Sequence, residues 1–146
     1  MPRHSERRPL PYRPDQMFDL VAGVERYPDF LPWCKAARIR ERSDRLIVAD
    51  LVIGFKGITE RFTSRVTLDP AVPMIDVSYE DGPFKYLENK WIFEETVEGC
   101  IIDFYVDFEF RSRLLQGLMG LVFTEAVRKM VHAFETRADD LYSDRS

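Results

Sequence analysis

The chain has 146 residues, 45% of them hydrophobic and 13% aromatic, with a formal charge of 21 minus 25, or −4. That length suits a single domain over 1–146 that hides about two-thirds of its unfolded surface without a disulfide or metal staple, and the acidic balance argues against DNA held by bulk positive charge. Cys34 and Cys100 stand far apart, with no further Cys or His at ligand spacing, so neither a metal cluster nor a secreted disulfide framework is expected, and a reducing, cytoplasmic compartment fits best.

The opening segment carries Arg3, Glu6, Arg7 and Arg8 and no apolar run of signal-peptide length, so export is not expected. Its period is poorly marked. Pro14-Asp15 then opens a short helix, with Met17, Phe18, Leu20 and Val21 at helical spacing. Tyr27-Pro28-Asp29-Phe30-Leu31-Pro32-Trp33-Cys34 sets two prolines among large apolar side chains, which predicts an irregular, sticky loop.

From Ala36 the period changes to two. Ile47, Ala49, Leu51, Ile53 and Phe55 share one face of a strand, and Gly54 and Gly57 flank the bend that follows. Ile58, Phe62, Val66 and Leu68 then point one way while Thr59, Arg61, Thr63, Arg65 and Thr67 point the other, the pattern of a half-buried antiparallel strand. Asp69-Pro70-Ala71-Val72-Pro73 breaks it, Ile75, Val77 and Tyr79 resume the alternation, and Asp81-Gly82-Pro83 turns again. Leu87, Trp91 and Phe93 face inward on the next strand. After Glu98-Gly99 come Cys100, Ile102, Phe104, Val106, Phe108 and Phe110 at strict period two.

Residues 113–142 contain no helix breaker other than Gly117 and Gly120, and at 1.5 Å per residue they make a helix about 45 Å long. Leu115, Met119, Phe123, Val127, Met130, Phe134, Ala138 and Leu141 stripe one side. The stretch 117–123 is the longest apolar run and is far short of the roughly 20 residues that cross a bilayer, so membrane contact is limited to the periphery, at the inner face of the cytoplasmic membrane. The helix outruns the roughly 17–20 Å of an ordinary strand, so the sheet must curl around it. The expected fold is therefore α+β and helix-grip: a curved antiparallel sheet around a long C-terminal helix, with two short helices after the first strand.

A concave sheet under one helix leaves space its own side chains do not readily fill, and the inward set is almost wholly apolar. Three polar residues share the inward phase: Glu60, at a wet strand end, and Ser64 and Asn89, which either bond nearby backbone or donate to a ligand carbonyl. The loop of Tyr27 and Trp33 either plugs one end of the grip or dips into a lipid interface. Two glycines at the start of the long helix call for close packing against a strand or for a flexible gate. Lys85 reads as surface charge in preference to a contact for a phospholipid head group. No catalytic set is found: His4 and His132 lack a Ser or Cys partner, and Asp103, Asp107 and Glu109 fall on the outward face.

At Tyr27-Pro28-Asp29-Phe30-Leu31-Pro32-Trp33-Cys34, Phe62-Thr63-Ser64, Gly82-Pro83-Phe84-Lys85, Leu87 with Trp91 and Phe93, and Phe134-Glu135-Thr136-Arg137-Ala138, the chain resembles the coenzyme Q-binding members of the START-like (polyketide cyclase and lipid-transfer) superfamily. That group also includes the bacterial ribosome association toxin A proteins. The resemblance covers almost the whole chain and implies the helix-grip fold, with non-enzymatic binding of ubiquinone or a related isoprenoid lipid in support of respiratory electron transfer. The toxin branch implies instead a ribosome-binding protein that blocks subunit association, for which Arg61, Arg65, Arg111, Arg113, Arg128 and Lys129 would supply a local basic patch. A polyketide aromatase or cyclase is the third reading. The residues expected around a hydrophobic ligand are Tyr27, Phe30, Leu31 and Trp33 of the loop, Phe62, Ser64, Phe84, Leu87, Asn89, Trp91, Phe104 and Phe108 of the sheet, and Leu118, Val122 and Phe123 of the helix. No metal ligand or catalytic cofactor is expected.

Overall fold

The computed structural model describes residues 3–31, 33–55 and 57–142, with the side chains of residues 55, 58, 80, 81, 119, 121 and 122 outside the description. Seven antiparallel strands form one sheet in the order β1-β7-β6-β5-β4-β3-β2. β2 (Cys34–Arg42), β3 (Leu46–Phe55), β4 (Ile58–Asp69), β5 (Met74–Asp81), β6 (Phe84–Thr96) and β7 (Gly99–Phe110) run as a meander. β1 (Arg3–Leu10) closes it from the other edge, pairing Arg3 with Asp107 and Leu10 with Cys100. α1 (Pro14–Ala22) and a 3-10 helix (Val24–Asp29) follow β1, and α2 (Arg113–Tyr142) ends the domain. The helix-grip layout read from the period changes is the observed one.

β1 was hard to read because it has almost no apolar face. Its ladder with β7 and the ion pairs of Arg7 with Asp103, 2.8 Å, and Glu94, 3.2 Å, hold it instead. The Tyr27–Cys34 stretch is less irregular than its prolines suggest. A 3-10 helix has few internal backbone bonds to lose, so Pro28 fits inside it, and Leu31 N closes the turn on Tyr27 O at 2.8 Å. Ser112 caps α2 by accepting from Leu115 N at 3.2 Å, and Gln116 Oε1 takes the last β7 donor, Phe110 N, at 2.8 Å.

Inward and outward phases follow the expected alternation except at Val48, Thr63 and Leu141. Val48, between Ile47 and Ala49 on the outward phase of β3, is 8% exposed. Thr63 lies on the outward phase of β4 yet is 6% exposed, because its hydroxyl donates to Asp50 across the ladder at 2.7 Å beside a register shift against β5. Leu141, assigned to the buried stripe of α2, is 49% exposed, while its neighbour Tyr142 packs on Tyr12. Phe55, Ile58 and Met119, also placed inward by period, lie outside the described side chains.

The far half of α2 is fastened to the start of the chain. Arg8 Nε donates to Glu135 Oε2 at 2.6 Å, and the Tyr12 hydroxyl donates to Asp139. Phe134 and Ala138 are buried there, and Trp91 and Tyr27 meet Phe134 edge-on, with ring centroids 5.1 and 5.6 Å apart. The near half is held differently: Phe123 meets Phe108 at 5.6 Å. Gly117 and Gly120 are exposed, and a Cβ at either would meet no described atom within 4 Å, so close packing does not explain them. Gly82 is different. Its φ is +150°, and an added Cβ would fall 2.4 Å from that of Phe62, so the β5–β6 turn requires glycine to seat that ring.

Candidate functional site

Between the concave face of the sheet and the middle of α2 lies a cavity of about 220 Å³. It exists because the facing residues there are small. Ala126 and Val127 of α2 share its wall with Ser64, Val66, Val77 and Val106 of the sheet. Larger rings crowd around that gap. Phe84 stacks on Phe110 at 4.9 Å and meets Phe62 edge-on at 5.2 Å, while Trp91 meets Phe104 at 4.7 Å. With aromatic bridges from sheet to helix at Phe108–Phe123 and Trp91–Phe134, the wall is propped open at points about three helical turns apart.

The geometry brings together Tyr27, Leu31, Trp33, Phe62, Ser64, Phe84, Leu87, Asn89, Trp91, Phe104, Phe108 and Phe123 on this one wall. Phe30 is not among them. Its neighbour Leu31 takes the inward direction, and Phe30 packs outside against Tyr27 and Phe134, under the Arg137 guanidinium, which lies 5.3 Å from the ring centroid. There it borders a wider, more open cleft with Arg128, Lys129 and His132. Leu118 does not line the cavity either, because it lies five residues from Phe123 and so about 140° around the helix from it. The Val122 side chain lies outside the description.

Sequence reasoning passed over Val24, Cys34, Leu51, Ile53, Val66, Val77, Val106, Phe110, Ala126, Val127, Met130 and Phe134, all of which line the same wall. The signal was present in the shared period-two phase of Leu51, Ile53 and Val66 and in the helical stripe through Val127, Met130 and Phe134. Gly54, near the end of β3 and paired with Thr59 of β4, also lines it.

The polar groups on the wall are few, and nearly all are engaged. The Tyr27 hydroxyl donates to Val21 O, and burial raises its pKa. Burial likewise pushes the Cys34 thiol up to about 11, so it stays protonated, with Sγ 3.7 Å from Ala36 O. Ser64 Oγ has a long contact, 3.5 Å, to Ala49 O. Asn89 is held from both ends: its Nδ2 donates to Tyr105 O at 2.9 Å, and its Oδ1 accepts from Trp91 Nε1 at 2.9 Å. Ser64 and Asn89 thus have the nearby partners of the simpler reading. The exception is Trp33 Nε1, buried without a hydrogen-bond partner among the described residues, at a cost of about 1–3 kcal/mol.

No carboxylate, imidazole, ammonium or guanidinium is among the described residues of this wall. Its described titratable side chains are the Tyr27 hydroxyl and the Cys34 thiol, both held protonated by burial. The charged groups lie elsewhere: Lys85 pairs with Glu109 at 3.0 Å, Asp107 accepts from the hydroxyls of Tyr86 and Tyr105, and His4 contacts Glu6 at 2.6 Å. Among the described residues no cluster of His, Cys, Asp or Glu could hold a metal ion, and no helix is long and apolar enough to cross a membrane.

Three comparisons bear on this arrangement. The chain is 41% identical over 135 residues to the ribosome association toxin RatA of Rickettsia prowazekii, covering 90% of this chain and 92% of that protein. It is 34% identical over 143 residues to the mitochondrial coenzyme Q-binding protein COQ10 homolog B of Xenopus laevis, covering 95% of this chain but 59% of that longer protein. The solution structure of the 18 kDa protein CC1736 from Caulobacter crescentus superposes with a TM-score of 0.79 at 36% identity, covering 99% of this chain and 100% of that one. The family described as polyketide cyclase / dehydrase and lipid transport matches residues 10–135, within which every described residue of the cavity wall falls. The chain belongs to this polyketide cyclase / dehydrase and lipid transport family.

Proposed function

We propose that the protein binds a hydrophobic molecule between sheet and helix without transforming it, and that the ligand is ubiquinone or a related isoprenoid lipid serving respiratory electron transfer. The observation that carries this reading is the apolar cavity itself, left by small residues where larger ones would close the core. The described wall carries no charged side chain and its Tyr27 and Cys34 are kept protonated by burial, which supports binding over cyclase chemistry, and the COQ10 relative supports a quinone.

The size of the cavity refines the proposal. A space of 150 Å³ accepts benzene, so 220 Å³ holds a substituted ring or a short stretch of tail and leaves the rest of a long isoprenoid outside unless the helix yields. Affinity then rises with the first carbons of the tail and levels off, at about 0.8 kcal/mol per buried methylene. Collection from the inner face of the cytoplasmic membrane suits such a ligand, and Leu114, 70% exposed at the start of α2, is an apolar group available for that contact.

The RatA relatives favour a second reading, association with the ribosome. The basic residues named for it do not form one patch: Arg61 and Arg65 lie on the outward phase of β4, whereas Arg128 and Lys129 lie on α2, across the sheet. A ribosome-facing surface would therefore centre on the α2 cleft of Arg128, Lys129 and His132. Mass spectrometry of solvent extracts from protein purified out of ubiquinone-producing cells separates the two. A stoichiometric quinone is the expected result; an empty protein that co-sediments with ribosomes in a salt-sensitive manner would overturn it.

A further inference from the structure

We propose that the indole N–H of Trp33 is the hydrogen-bond donor that receives the ligand, and that the ligand therefore carries a neutral carbonyl oxygen. The inference rests on the cavity-binding reading above. Trp33 stands on the cavity wall at the junction of the 3-10 helix and β2, its backbone fixed by Gly54 N donating to Trp33 O at 2.9 Å. Its Nε1 is buried and has no acceptor among the described residues. The second tryptophan provides the contrast, since Trp91 Nε1 already donates to Asn89 Oδ1 at 2.9 Å.

An indole can donate and cannot accept, so only an acceptor satisfies it. The other polar side chains of the wall already have partners: Tyr27 on Val21 O, Cys34 near Ala36 O, Ser64 near Ala49 O and Asn89 on Tyr105 O. A water molecule in the cavity needs two to four polar partners, and this wall offers it little beyond the one free donor. An apolar guest that brings its own oxygen meets the need without carrying water in. A carboxylate does not suit the place, because no cationic side chain is among the described wall residues to offset its desolvation. A ketone-like oxygen, such as that of a quinone ring, does.

The test uses the full chain, decylubiquinone, and decylbenzene as a partner of equal tail length that lacks carbonyls. In ¹H–¹⁵N spectra the two indole signals are assigned, and each probe is titrated to saturation. Decylubiquinone is expected to move the Trp33 indole proton downfield, and decylbenzene is not. Trp33→Phe, which keeps an aromatic ring and removes the donor, is expected to weaken decylubiquinone about tenfold and to leave decylbenzene within twofold. Unchanged quinone affinity in Trp33→Phe, or a Trp33 indole proton that does not move downfield with bound quinone, overturns the proposal while leaving the cavity reading in place. If neither probe binds the wild-type protein, the cavity reading falls and takes this one with it. Should Trp33→Phe fail to fold, the wild-type indole signal decides.

Discussion

Val127→Phe tests whether the space under α2 is a true vacancy. Val127 is 6% exposed and lines the cavity, and phenylalanine adds four carbons at that point. Filling all 220 Å³ is worth about 5 kcal/mol at about 24 cal/mol per Å³, and the added carbons alone bury about 3 kcal/mol of transfer energy. After rotamer ordering and local strain, a net gain of about 1 kcal/mol raises Tm by roughly 3 °C in a domain of this size. The ligand loses the same volume, so its Kd weakens by up to about a hundredfold. The two effects have opposite signs. In a filled core the same substitution overpacks and costs about 1–3 kcal/mol, lowering Tm. The assay is thermal unfolding by circular dichroism without ligand, beside a tryptophan-quenching titration with decylubiquinone. A lower Tm with unaltered quinone affinity would refute the reasoning.

Replacing Gly117 and Gly120 together by alanine should raise Tm by roughly 4–6 °C, since each exposed helical glycine costs about 0.5–1 kcal/mol and neither new methyl meets a described atom; stopped-flow quinone uptake should slow if these turns yield during entry, and an unchanged or lower Tm would count against an unstrained helix here. Burial raises both the Cys34 and the Cys100 thiols to about 11. Their contribution to stability is complete below about pH 9, where the unfolded thiol begins to ionise, and fades as the pH climbs toward 11. Urea denaturation at pH 8, 9.5 and 11 should show that decline, and Cys34→Ala with Cys100→Ala should flatten it.

Much of the fold was written in residue spacing. β4 and β7 alternate so strictly that their inward rows, from Phe62 to Leu68 and from Cys100 to Phe110, could be assigned by eye, and the stripe through Phe123, Val127, Met130 and Phe134 marked the face of α2 toward the sheet. What failed to show had physical causes. β1 is held by main-chain pairing and ion pairs, and neither leaves a hydrophobic period. Thr63 is buried by a polar partner, Asp50, on a different strand, which no local pattern contains. The cavity wall was partly legible because its aromatic residues draw the eye, whereas Val66, Val77, Val106 and Ala126 look like ordinary core until their smallness is seen to coincide across the interior. The unsatisfied donor of Trp33 had no signature in the sequence at all, since an unpaired group is defined by what surrounds it.

The pairing of β1 with β7 joins segments roughly a hundred residues apart in the chain. During synthesis β1 must therefore wait until β7, the last strand of the sheet, has emerged, and the domain cannot close from β1 onward. Such long-range closure makes for slow folding. The arginines and glutamate that obscured β1 as a strand suit it to that delay: a charged edge segment stays soluble and resists pairing with stray chains until its proper neighbour arrives.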